Sequence, residues 1–219
     1  CAVLDNLGAA WWYLCNYDKA FEAFERAAEI RAQANDLWGQ ARSVYNMALS
    51  AANLVSDGEM EIGEYRRLLE RGRDLAVESG NFNAEPSMTL LLGGQRSGAE
   101  ALSLFDRALE TARRHAVTQA EVNALRFSGV ALAEMGPQFK EESDRRLLEA
   151  RERARETGQY FLLGEVLADQ ARVQTWWGPP EEGIAAHLEA LDLIERIRSS
   201  QVEGAVRAQA FSHWAGVYY

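Results

Sequence analysis

Apolar side chains recur at helical spacing from the first residues of the chain. Leu4, Leu7, Gly8 and Trp11 fall at i, i+3, i+4 and i+7, which is one face of a helix, and Ala20, Phe24 and Ala27, after Tyr17, mark the face of a second. Together they predict a two-helix unit, and the unit repeats. Gly8 is matched by Ala48, Thr89, Gly129, Ala171 and Ala215, and Ala27 by Gly72, Ala108, Ala150 and Ala190. Three positions before each of the latter set stands a larger side chain: Phe24, Leu69, Phe105, Leu147 and His187. Small residues at both places let paired helices approach closely, and the larger ones fill the space between them.

Sliding the unit along the chain places helix pairs at about 1–36, 40–80, 82–116, 120–158 and 162–200, with the start of a sixth at 204–219. The expectation is a single all-α domain, 1–219, of antiparallel helix pairs. Turn chemistry supports the boundaries. Ser56-Asp57-Gly58-Glu59 predicts a turn whose Ser56 and Glu59 have capping-box spacing, and Gly136-Pro137 and Gly178-Pro179-Pro180 stop one helix and begin another. Pro86 and Gly93-Gly94 predict a short first helix in the third pair. Leu4, Phe24 and Phe105 are expected to be buried, Trp11 to join the core, and Trp12, one residue on, to face elsewhere. Phe211, Trp214, Ala215 and Tyr218 repeat the first-helix motif, so both ends of the chain fall inside the pattern and the reading is a part of a longer polypeptide.

Composition narrows the function classes. Apolar residues make up 47% and prolines number 4, the profile of a folded chain. The net charge of −10 repels phosphate backbones and lowers the expectation of nucleic-acid binding. The arginines of 145–155 alternate with glutamates at helical spacing, as on a solvated helix face. No apolar run is long enough to span a membrane, and Cys1 and Cys15, if both on the opening helix, are too far apart for a disulfide, so a cytoplasmic location is expected. Cys1 also stands where a lipid-modified terminus would begin, but helical pattern follows at once without a tether.

The residues Leu4, Leu7-Gly8, Trp11, Tyr17, Ala20, Phe24 and Ala27 resemble the tetratricopeptide repeat signature, over essentially the whole chain. The resemblance implies a right-handed superhelical solenoid whose first helices line a concave groove. HEAT-like repeats share the period near 40 but lack the combined spacing. The implied groove positions are Asp5, Ala9, Trp12 and Tyr13 in the first repeat, and Arg42, Tyr45, Asn46, Leu49 and Asn53 in the second. The fourth supplies Arg126 and Val130, and the fifth Arg172 and Trp176. Asn46 matches the family's peptide-carboxylate clamp, but its partners are missing, since Asp5, Ala9, Asn83 and Ser87 occupy their places. The alternative is that these arginines pair internally, with Glu134, Glu165 and their neighbours. The stretch Ile194-Glu195-Arg196-Ile197-Arg198 also resembles the last repeats before the caspase-like domain of bacterial CHAT-type proteins. Twenty-one arginines against two lysines fit a GC-rich bacterial source.

No reaction chemistry is legible. Gly93 and Gly98 have phosphate-loop spacing, but Ala99-Glu100 follow where Lys-Ser/Thr is needed. His115, His187 and His213 are too far apart for a metal motif, and Ser97 and Ser128 lack the nucleophile-elbow context. The expected function is a non-catalytic interaction scaffold or sensing module, without cofactor or metal. Its partner would be a protein or peptide segment and not nucleic acid or membrane, with other domains of the same polypeptide attached. Alternatives are a repeat region regulating a CHAT-type peptidase, an ATPase or a transcription factor, or a receptor for a peptide or small molecule. Two groove arginines, Arg42 and Arg126, are expected to accept substitution by Glu without unfolding the chain.

Overall fold

The structure, a computed structural model, describes residues 1–200, so Phe211, Trp214, Ala215 and Tyr218 lie outside the described residues. The described residues form ten α-helices and no strand: α1 (Ala2–Tyr13), α2 (Tyr17–Gln33), α3 (Leu37–Ser56), α4 (Ile62–Ser79), α5 (Ala84–Gly93), α6 (Gly98–Arg114), α7 (Thr118–Glu134), α8 (Lys140–Glu156), α9 (Tyr160–Trp177) and α10 (Pro180–Ser200). A 3₁₀ turn, Pro137–Phe139, leads into α8. None of the described helices is long and apolar enough to cross a membrane. The helices fall into two compact units, one of Cys1–Arg96 with Glu110–Val117, the other of Ser97–Leu109 with the described residues from Thr118 on.

In the first unit each of α1 to α4 packs on the helix that follows it, and α3 also touches α5. In the second, α7, α8, α9 and α10 pack in sequence order, and α7 also touches α9. The small positions of the pattern are where the helices meet. Ala48, Ala171, Ala27, Ala150 and Ala190 are fully buried. A Cβ on Gly8 would lie 2.7 Å from the Phe24 ring, and one on Gly129 would lie 2.7 Å from Leu147 Cγ. Phe24, Leu69, Phe105 and Leu147 are each buried, as the register expects, while His187 is half-buried, with Nδ1 2.9 Å from the Gly183 carbonyl.

Six helices end in the same way. After α1, the Asn16 N–H bonds the Trp11 carbonyl and the Cys15 N–H that of Trp12, with Cys15 at φ 56°. This is the Schellman arrangement, in which a left-handed residue turns the chain and satisfies the last carbonyls. The same pair of bonds recurs around Asn35, Gly58, Gly80, Ala116 and Gly158, all at positive φ. Glycine takes that conformation without a steric penalty, whereas Cys15 and Ala116 do not. The left-handed cost of about 1–2 kcal/mol exceeds the extra chain entropy of glycine, about 0.5–1 kcal/mol, so Ala116→Gly should stabilise by about 0.5–1 kcal/mol. Denaturant midpoints measure this, and a destabilised variant would contradict the turn geometry.

Several expectations need correction. Leu4 is only half-buried and Leu7 is 45% exposed, because among the described residues no helix covers the outer side of α1. Trp11 is also half-buried, with the Lys19 ammonium 4.6 Å from its ring centroid. The Ser56–Glu59 capping box is not made, since α3 continues through Ser56 and α4 begins only after Glu61. The expected shortness of α5 is observed, with Pro86 in its first turn.

Candidate functional site

In the first unit, α1 and α3 carry side chains that meet around a small cavity. Ala9, Trp12 and Tyr13 share a face of α1 at i, i+3 and i+4, and Asn46 and Leu49 share one of α3. With Phe24 they line a space of about 190 Å³. All but Phe24 are implied groove positions. The Trp12 ring stands edge-on to Tyr13 at 5.6 Å and to Tyr17 at 6.4 Å. Its Nε1 is buried and has no hydrogen-bond partner. A buried donor left without an acceptor costs roughly 1–3 kcal/mol. Burial, followed by the neighbouring Cys15 and Asp57, pushes the Tyr17 phenol up to about 12.

The remaining candidates of this unit are engaged within the chain. Arg42 places Nη2 2.9 Å from Asp5 Oδ2 and its guanidinium 5.8 Å from the Trp38 ring centroid. Asp5 is held chiefly by Arg31, at 2.5 Å, and Arg31 also donates to Ser43 Oγ. Arg31 is 4% exposed, a buried cation that the sequence reading missed. The signal was present, since Arg31 extends the face of Ala20, Phe24 and Ala27 by one further turn. Burial raises the Asp5 pKa, but the hydrogen bond and charge of Arg31, joined by Arg42, outweigh it and hold the carboxyl below its ordinary value. Tyr45 is partly buried and packs against Ala41, Ala76 and Ala84, with burial raising its phenol pKa above the usual value. Asn53 donates from Nδ2 to the Leu49 carbonyl at 2.9 Å.

In the second unit Arg126, on α7, reaches two acids of α9. It donates to Glu165, and its Nε lies 2.7 Å from Asp169 Oδ2. Arg172 binds the same aspartate at 2.7 Å and lies 5.5 Å from the Trp176 ring centroid. Val130 packs beside Ala133, Leu147 and Val173. Burial raises the pKa of Asp169, Arg126 and Arg172 oppose the rise, and Glu165 adds to it. The internal-pairing alternative therefore describes Arg126, which pairs with Glu165. This corrects the expectation about Arg126→Glu, because a carboxylate there would face two partly buried acids and report on folding instead of binding.

Among the described residues no three His, Cys, Asp or Glu side chains are grouped as metal ligands. No protein-family model matches the chain, and no curated protein matches its sequence.

Proposed function

We propose that this chain is a tetratricopeptide-like interaction module of a larger bacterial protein, without catalysis of its own, and that it binds a partner's peptide segment on its first helices at the Trp12 cavity. The helix pairs, packed in sequence order with small residues at the contacts, support the repeat reading, and the superhelical solenoid belongs to the same proposal. The observation that carries the binding site is that Trp12, whose Nε1 has no hydrogen-bond partner, lines a cavity with Tyr13, Leu49 and Asn46. Its volume of about 190 Å³ is below the roughly 300 Å³ at which pockets for whole small molecules begin. One apolar or aromatic side chain fits, with a peptide carbonyl on Nε1 and the Asn46 amide free to pair with backbone. Regulation of an attached CHAT-type peptidase, ATPase or transcription factor rests on the sequence resemblance alone.

Panning a random peptide library against the chain tests the site. Selected peptides should bind Trp12→Phe about five- to tenfold more weakly, since one neutral hydrogen bond is worth roughly 1 kcal/mol, while the ring and the fold are kept. A control is the pair Arg151→Glu with Arg155→Glu on α8, whose arginines face Glu189. If the peptides keep full affinity for Trp12→Phe and lose it to the α8 pair, the assignment is wrong.

A further inference from the structure

Gln40, in the first turn of α3, is a buried polar side chain that the packing of the helices leaves unused. It is 8% exposed, and its carboxamide meets no hydrogen-bond partner among the described residues. With Ala48 aligned to Thr89, Gly129 and Ala171, its place is taken by Asn81, Glu121 and Leu163, all of them buried. Each of these is satisfied. Asn81 donates to the Trp38 carbonyl at 3.0 Å and accepts from the Ala84 N–H at 3.1 Å, and Glu121 pairs with Arg153 at 3.0 Å. Leu163 is apolar and has nothing to satisfy. An unpaired buried amide lowers stability, so helix contacts alone do not account for a glutamine here.

Gln40 lines two adjoining cavities, of about 520 and 490 Å³, that share it and Arg71. Together they make a groove over α3, walled by α2 and α4, both of which pack on α3. Gln40, Val44 and Met47, at i, i+4 and i+7, are its floor. The walls differ in sign. Glu25 stands on the α2 wall and Arg71 on the α4 wall of the same cavity, with Arg67 one turn before Arg71. All three are exposed and in no ion pair among the described residues. The α4 acids Glu70 and Asp74 lie 4.0 Å from Arg96 and 2.6 Å from Arg73, and Glu78 ends the groove. From Arg67 to Glu78 the wall runs about 16 Å at 1.5 Å per residue, the span of about five extended residues.

We propose that this groove binds an extended peptide segment whose side chains alternate in sign, basic toward Glu25 of α2 and acidic toward Arg71 of α4, with a peptide group paired to the Gln40 carboxamide. A primary amide matches a peptide group, because its NH2 donates to a carbonyl while its oxygen accepts an N–H. Successive side chains of an extended chain point to opposite sides, so walls of opposite sign select alternating charges. Two joined cavities, longer than one amino acid, suit a chain passing through and not a free zwitterion. The site shares no residue with the Trp12 cavity and does not rest on it.

The probe is a capped hexapeptide of alternating lysine and glutamate, titrated at low salt into the isotope-labelled whole chain. The readout is the magnetic resonance signal of the Gln40 side-chain amide, identified by its loss in Gln40→Leu. The peptide should shift that signal and bind at least about tenfold more tightly than a block peptide of the same composition, lysines first and glutamates after. Gln40→Leu should weaken binding about fivefold or more without lowering the unfolding midpoint, because it removes an amide that the free chain leaves unpaired. Glu25→Arg or Arg71→Glu alone should weaken binding about three- to tenfold. The two together should restore it, since the peptide slid by one residue presents the reversed signs. Trp12→Phe should leave it unchanged. An unmoved Gln40 signal, equal affinity for the block peptide, or a double reversal that does not rescue overturns the proposal. So does a Lys-Glu dipeptide that binds as tightly as the hexapeptide, which would make the groove a site for small zwitterions. A lowered midpoint for Gln40→Leu overturns it as well, since the amide would then serve the fold.

Discussion

Asp5→Ala should destabilise the first unit by about 3–5 kcal/mol, the usual loss when one partner of a buried ion pair is removed. The substitution leaves the Arg31 guanidinium, 5% exposed, with Ser43 and with Asp36 at 3.7 Å, too long for a hydrogen bond. What is lost is the solvation that Asp5 supplies to a cation already stripped of water. Exposed Arg42 can turn to solvent and adds little. The companion measurement is Asp5→Leu combined with Arg31→Met, where an apolar pair replaces the ionic one. That double variant should recover most of the loss, since such replacements are commonly neutral or stabilising. The pattern has a precedent in this chain, because Ala76 and Ala154 stand at the register place of Arg31. A loss below about 1 kcal/mol for Asp5→Ala would show the pair to be hydrated.

The same pair sets a pH dependence. The folded pKa of Asp5 lies below the ordinary 3.8, so its contribution is complete above pH 3.8 and is lost as the pH falls through the folded value. Asp169 works in the opposite sense. Its folded pKa is raised above 3.8, so its contribution is present below pH 3.8 and is lost as the pH rises through the folded value. Asp5→Ala should therefore flatten the acid limb of the stability profile of the first unit.

Helix pairs were legible because a close helix–helix contact demands a small side chain, and that demand leaves a periodic trace in sequence. Gly8, Gly129, Ala27 and Ala150 are such traces, and Phe24 and Leu147 sit against the glycines as the spacing implies. The outer side of α1 was misread for a related reason. Leu7 has the apolar character of its register place, but sequence does not reveal whether a neighbour is there to bury it. Five residues of the Trp12 cavity were implied by the tetratricopeptide resemblance, to which register adds only that residues at i, i+3 and i+4 share a face of their own helix. Charge pairing was legible in part. Glu165 stood among the acids named as internal partners of the groove arginines, but that Arg126 also reaches Asp169 follows from α7 and α9 lying side by side, which nothing local to Arg126 encodes. Tyr45 shows the same limit, as its burial depends on α4 and α5.

Phe105→Ala should cost about 3–5 kcal/mol, the loss typical of a phenylalanine truncated inside a core. Phe105 is 5% exposed, and its ring centroid lies 5.7 Å from that of Phe127. It holds the register place that Phe24 and Leu147 fill against Gly8 and Gly129, so truncation leaves a cavity that neighbouring helices can close only by shifting. Phe82 is the internal comparison, because it has the same side chain outside the register. It is 45% exposed and stacks on His115 with centroids 3.7 Å apart and planes 4° from parallel. Phe82→Ala removes a surface stacking contact, worth about 0.5–1.5 kcal/mol, and opens no cavity. The ratio of the two losses, read from chemical unfolding, is the discriminating quantity. Equal losses would mean that the repeat register does not locate the core; a several-fold larger loss at Phe105 is what helix pairs built on small-to-large contacts require.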